Sequence, residues 1–504
     1  MLTNYFLQLT LSGWGWSKTL LALSIALYLA MLIVKSRAGN RRKSLGREPA
    51  VISTFAPLGI DLAWQAFRAL SGHTFYDWTR SLADKYGRTF EMQMMGMRLI
   101  VTDEPQNIKA IMSSQFSDYG KGELTHKIFE SVLGDSVFAT DGKEWLRNKA
   151  QLRPHLARHR EDDLAKTEVH WQQALRLLDL GLPVDIYDVI DRYQLDIVTD
   201  IYLGKSTASL VTGTSPIRYA VDTLFRINGF RQMLGKAGVY LSDKWLCPKA
   251  IRELESFLDS TVAQTLALPI ANIEKKPVLE RNLVESLAIQ RLDARNIKNQ
   301  LIAVIIGAKD PTSITITWAV YELARHPEVF AELRAQLLAT LGTSERPPTR
   351  EEMSAIPLLR NIVLETLRMY HPLGFNLRIA QKDTTLPRGG GPCGNEPIGV
   401  LKGTQIIYSV MSMQRREESS GPNSETWNPD RWSGWTPGLW DFVPFNNGPR
   451  ICLGRAAGQL QVEYTVARIA QEFSRIELVE GEQQRIKLEL NTKMAYPLVC
   501  TMSR

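Results

Sequence analysis

Of the four cysteines in this chain, Cys247, Cys393, Cys452 and Cys500, it is Cys452 whose surroundings suit chemistry. It follows a turn carrying Gly448 and Pro449 and precedes Leu453–Ile469, whose apolar spacing predicts a helix. A thiol at a helix start, two residues from Arg450, is expected to have a lowered pKa and to favour the thiolate, the form that binds metals. Gly448 and Gly454 leave room for the backbone to approach a flat partner, and nearby N–H groups can donate to the sulfur. A lone cysteine is, by itself, more often an inert buried side chain. The four cysteines lie far apart and never in CxxC spacing, which excludes a disulfide scaffold and a zinc ribbon.

Three further patterns accompany it. Glu365 and Arg368 stand at i and i+3, one helix face, where they can form an ion pair. Trp427-Asn-Pro-Asp-Arg-Trp432 follows, and Gly307-Ala-Lys-Asp310 precedes. With the run from Phe445 through Cys452 to Gly454, these four occur in the order found in the cytochrome P450 family, which the chain resembles from residue 19 to the C-terminus. The resemblance is closest to fungal membrane-bound members that hydroxylate alkanes and fatty acids. It implies a mainly α fold with small β sheets and a haem b whose iron takes the Cys452 thiolate as axial ligand. It also implies that Phe445 and Gly448 shape the ligand loop, that Arg450, Arg378 and Lys149, with Trp145, meet the haem propionates, and that Glu365, Arg368 and Arg431 form a buried triad. Gly307, Asp310 and Thr312 would handle protons and oxygen.

Two departures from the family pattern bear on chemistry. Where an alcohol usually follows the acid, Asp310 is followed by Pro311, with Thr312 one place later. Proline has no N–H, so the Gly307 carbonyl, its i−4 partner, is expected to be free to hold a water or a substrate hydroxyl, and the helix is expected to kink. Trp145-Leu-Arg-Asn-Lys149 places lysine where the family has arginine, so a point charge replaces a bidentate fork; Arg147 and Arg153 are poorer substitutes by helical phase.

The elements that must position these residues are mostly helical. Three- and four-residue apolar spacing predicts helices over Leu62–Gly72, Asp77–Tyr86, Pro105–Ser114, Asp162–Leu180, Val189–Gly204, Arg252–Leu266, Arg295–Arg325, Pro327–Leu341 and Met353–His371. Strands are expected at Thr89–Met94, Arg98–Val101, Thr404–Tyr408, Arg485–Leu490 and Ala495–Cys500. A hydrophobic fraction of 44% excludes a mostly disordered chain, and no block recurs at a repeat period.

Ahead of this lies a run, residues 19–35, of apolar or small neutral residues closed by Lys35. It is expected to be a transmembrane anchor, with residues 1–18 lumenal, 36–56 a basic linker and 57–504 the catalytic domain. Lys35, Arg37, Arg41, Arg42 and Lys43 put that domain on the cytosolic side, which points to a single-pass protein of the endoplasmic reticulum membrane. A net charge of +7 on 504 residues is too mild for a nucleic-acid binder. Gly389-Gly-Gly391 does not follow a strand and open a helix, so no nucleotide-binding loop is evident. The family then implies a separate NADPH–cytochrome P450 reductase, with cytochrome b5 as a further donor. The expected activity is oxygen insertion into a small lipophilic substrate, in fungal secondary metabolism or in fatty-acid and alkane hydroxylation. The rival within the same chemistry is an isomerase or dehydratase that needs no O2.

Overall fold

The computed structural model describes residues 20–26, 29, 33, 36–157, 161–342, 346–479 and 483–504. Of the expected anchor, 19–35, residues 19, 27, 28, 30–32, 34 and 35 lie outside the described residues. No helix among the described residues is long and apolar enough to cross a membrane.

The fold is mainly helical with small sheets. Its principal helices are α1 (Gly142–Leu156), α2 (Glu161–Leu178), α3 (Ile186–Leu203), α4 (Pro216–Met233), α5 (Pro248–Leu266), α6 (Ala294–Arg325), α7 (Pro327–Leu341), α8 (Pro357–Met369) and α9 (Arg455–Glu472). Helix α6 runs through the middle, about 48 Å long at 1.5 Å per residue. Its N-cap, Asp293, accepts from the Asn296 N–H. A helix that is apolar on most of its circumference must be covered all round, and α6 joins two apolar clusters. One contains α2, α3, α7, α8 and α9, the other α3, α4 and α5.

The chain stays helical through Pro311, so the expected kink does not appear as a break. Side-chain hydroxyls fasten the turns around it. Those of Thr312, Ser313, Thr315 and Thr317 donate to the carbonyls of Ala308, Lys309, Pro311 and Ser313. The run Met353–His371 divides into Arg350–Ser354 and α8, because Pro357 suits a first helical turn and not an interior.

A six-stranded sheet flanks the helices. In chain order its strands are β1 (Ala50–Val51), β2 (Thr89–Met94), β3 (Met97–Thr102), β4 (Tyr119–Gly120), β5 (Phe375–Ala380) and β6 (Gln405–Ser409), arranged β1-β2-β3-β6-β5-β4. The antiparallel pairing of β4 with β5, Gly120 opposite Ile379, sets Lys121 beside Arg378. The register of β5 on β6 brings Arg378 over the Tyr408 ring, 5.7 Å from its centroid.

Candidate functional site

Cys452 ends the loop after Gly448–Arg450 and stands just ahead of α9. Its N–H donates to the Phe445 carbonyl (2.9 Å), which closes the loop on itself. The side chain is open on one side. It is nevertheless set deep enough that burial pushes the thiol's pKa up, against the Gly454 N–H and the charge of Arg455. This reverses the sequence expectation. The guanidinium expected to favour the thiolate, Arg450, turns away: its Nη2 donates to the Thr140 carbonyl and to Asp141 Oδ1, both at 2.7 Å. A cysteine bound to a metal ion is deprotonated whatever its free pKa.

Gly448 has φ of 68°, and a Cβ there would lie 2.0 Å from the Met112 carbonyl oxygen. Its smallness therefore serves the seating of this loop on the 110–114 turn. At Gly454 a Cβ would meet nothing within 4 Å. Phe445 packs, partly buried, against the larger apolar cluster.

Beside the loop lies a concentration of buried positive charge. Arg378 is 7% exposed, and its one hydrogen bond among the described residues goes to the neighbouring Leu377 carbonyl (2.8 Å). Lys121 is half-buried; burial, then Arg378 and Arg450, push its pKa well below the ordinary lysine value. Burial and Arg378 likewise bring Arg450 down to about 10. The one carboxylate among them, Asp141, is already engaged by Arg450 and by the backbone N–H groups of Lys121 and Gly122. The Tyr408 hydroxyl, fully buried here, has no hydrogen-bond partner among the described residues. Several cations and one occupied carboxylate leave the group short of anions.

Lys149 is less engaged with this group than expected. Its ammonium donates to the Pro449 carbonyl (2.6 Å) and lies 5.3 Å from the centroid of Trp145. Trp145, buried, also carries Arg450 at 4.6 Å and Phe116 at 5.4 Å. Lys121 and Asp141 were not singled out by the sequence reading. The signal available for them was the Gly120-Lys121-Gly122 run, in which a Cβ on either glycine would approach Asp141 or Ile379 within 3 Å.

Glu365 stands on α8 with 0% exposure. Arg368 forks onto it, Nε to Oε2 at 2.9 Å and Nη2 to Oε1 at 2.8 Å, and Arg431 Nε reaches Oε1 at 3.4 Å. The Asn428 N–H and Trp432 Nε1 fill the remaining acceptor positions, both at 3.0 Å. The other guanidinium N–H groups go to carbonyls: Arg368 to Gln414, Ser424 and Thr426, Arg431 to Ser420, Pro422 and Asn423.

On α6 the three expected residues take separate partners. Asp310 and Thr312 are about 200° apart around the helix. Thr312 faces α9, where a Cβ at Gly458 would lie 4.0 Å from its hydroxyl. Asp310 is held by Lys309 (2.8 Å) and by Asn491 Nδ2 (3.2 Å). Gly307 is exposed beside Phe138, whose ring would stand 2.9 Å from a Cβ there.

Residues 56–498 match the sequence profile of the family described as Cytochrome P450. The chain is 32% identical over 500 residues to a cytochrome P450 monooxygenase, pvhE, of Talaromyces variabilis, covering 93% of this chain and 92% of that one. It is 31% identical to cytochrome P450 52E1 of Candida apicola, over 90% and 91% of the two chains. A third relative, cytochrome P450 monooxygenase himC of Aspergillus japonicus, is 31% identical over 91% and 84%. The chain belongs to the cytochrome P450 family and is an oxidoreductase of the monooxygenase type. Membership implies a haem held by a cysteine thiolate and electrons from a reductase. The residues present fit that group: an accessible thiol on a tight loop, and beside it buried cations short of the negative charge that two propionates would bring.

Proposed function

We propose that the chain is a haem-thiolate monooxygenase of fungal secondary metabolism that inserts one oxygen atom from O2 into a lipophilic substrate, with Cys452 as the iron ligand. The observation that carries this reading is the accessible Cys452 thiol beside the anion-deficient group of Lys121, Arg378 and Arg450. When bound, the haem supplies the O2 activation and the oxidising power. Arg378 offers a free fork to a propionate, Lys121 a point charge, and Arg450 those N–H groups not used by Asp141. Lys149 serves mainly to hold Trp145 and the Pro449 carbonyl. The closed network of Glu365, Arg368 and Arg431 fixes the segments leading to the ligand loop.

On α6, the Thr312 hydroxyl is spent on the Ala308 carbonyl and Pro311 offers neither hydroxyl nor N–H. The acceptor left on this turn is the Gly307 carbonyl, which can hold a water or a substrate hydroxyl. The ionisable group is Asp310, whose carboxylate can take up and release a proton. The missing alcohol at Pro311 also suits an isomerase or dehydratase that needs no O2; consumption of NADPH by membranes holding the protein and a reductase separates the two.

Residues 19–35 and the basic residues after them support a single-pass anchor in the endoplasmic reticulum with residues 57–504 in the cytosol. Exposed Phe55, at the end of the linker, and Trp64 and Phe67, just beyond it, support further contact with the bilayer. NADPH–cytochrome P450 reductase, and cytochrome b5 beside it, would be the electron donors.

Cys452→Ser tests the reading. The variant is expected to fold and to lack turnover and the thiolate-type absorbance of the reduced, CO-bound haem. An unchanged spectrum would assign the iron to another residue.

A further inference from the structure

Helix α6 carries a second set of buried charges, of which the roles above use Asp310 alone. Lys309 is 2% exposed, and its ammonium lies 2.7 Å from Asp191 Oδ1 on α3 and 2.8 Å from Asp310 Oδ1. Arg218 of α4 takes the other oxygen of Asp191 at 2.6 Å. Arg218 also lines an outer groove, together with Tyr219, Asp222 and Lys249.

Neighbouring residues on a helix do not face each other. Contact between Lys309 and Asp310 therefore requires both side chains to bend toward one point, on the side from which Asn491 donates to Asp310. Burial works against the Lys309 ammonium, but Asp191, Asp310 and Asp222 outweigh it and hold its pKa well above the ordinary lysine value. A group so firmly protonated does not hand its proton on; it acts by charge and position.

We propose that Lys309 is a positioning residue, holding the Asp310 carboxylate turned toward Asn491 and tying that orientation, through Asp191 and Arg218, to α4 and the outer groove. The inference rests on the reading of Asp310 as the acid that handles protons. It gives this chain a way to fix that acid without the alcohol that Pro311 displaces. A purely structural role makes a different forecast. Buried ion pairs are often replaced by neutral groups of similar size with no loss of stability, so such a replacement should then leave function alone.

The test is Lys309→Met combined with Asp191→Asn, which removes one charge of each sign and leaves Arg218 paired with Asp188 (2.5 Å). Full-length, haem-loaded protein in membranes with its reductase is supplied with NADPH, with lauric acid as the probe substrate. Peroxide released per NADPH is expected to rise at least threefold, and the solvent deuterium isotope effect on that ratio to change. The infrared band of the Asp310 carboxyl, identified by its loss in Asp310→Asn, is expected to move in the resting protein, where no turnover occurs. Lys309→Arg should restore the parent values. Asn491→Leu, which keeps the buried pair, should raise the peroxide ratio by a smaller factor. An unmoved band with an unchanged ratio in the double variant overturns the positioning role, as does a change in stability alone. If Asp310→Asn itself leaves ratio and isotope effect unchanged, the reading of Asp310 falls and the inference with it.

Discussion

Arg368 and Arg378 lie close in the chain, and both guanidiniums are removed from water. Around Arg368 the circle is closed. Glu365 accepts from two guanidiniums, an indole and a backbone N–H, and the remaining donors end on carbonyls. Around Arg378 it is open: the neighbours are Lys121 and Arg450, and the single carboxylate, Asp141, is already engaged. Uncompensated buried charge is costly. A protein that satisfies one arginine completely and leaves the other short of anions has separated structure from binding. The closed group holds segments together, and the open one has room for an anion's charge.

Glu365→Ala breaks the closed group and should have the largest effect. Two guanidiniums would face each other without a counter-charge, at a cost of about 3–5 kcal/mol, a large share of the roughly 5–15 kcal/mol that holds a domain folded. No soluble, haem-loaded protein is expected, as read by the haem-to-protein ratio and circular dichroism. A stable haem-loaded variant would show that the triad does not hold these segments.

Arg378→Met acts on the open group and should do the opposite. The helical circular dichroism is expected to survive, because no protein carboxylate loses its partner. Haem transfer to an acceptor apoprotein should become about tenfold faster, the equivalent of one charged hydrogen bond. Loss of fold together with haem would erase the distinction between the two groups.

What the sequence made legible follows the reach of each signal. Glu365 and Arg368 are read from one helical turn, and the Cys452 loop from ten consecutive residues, so both were visible in advance. Lys121 was not, since its meeting with Arg378 depends on β4 pairing with β5 across more than half the chain. Helix α4 was missed because its apolar residues, Ile217, Val221, Leu224 and Phe225, make only a short stripe before Asn228 and Gly229. The direction of the Cys452 shift was misread for a similar reason. Arg450 is near in sequence, but a carboxylate from 309 positions away, Asp141, turns it aside, and burial then decides the thiol.

The smallest expected effect lies in pH, and its sign separates the two groups again. Without an anion, burial and the neighbouring guanidiniums depress the Lys121 pKa. Binding of propionates would raise it again, because an opposite charge favours the ammonium. A base whose pKa is raised on binding contributes affinity in full below its free-state value and loses it as pH climbs through the bound-state value. Arg450, held near 10 when free, behaves in the same direction at the alkaline end. Haem release should therefore quicken between neutral pH and about pH 10, by roughly threefold, as followed by transfer to an acceptor apoprotein at constant ionic strength. Lys121→Met should release haem faster at neutral pH and show a flatter rise, since the group that titrates is gone. The closed triad predicts no such slope, for its cations are already bound to Glu365 and to carbonyls and take no part in holding propionates. A Lys121→Met variant with the parent's slope would place the titrating cation elsewhere and would leave Arg378 and Arg450 to hold the propionates.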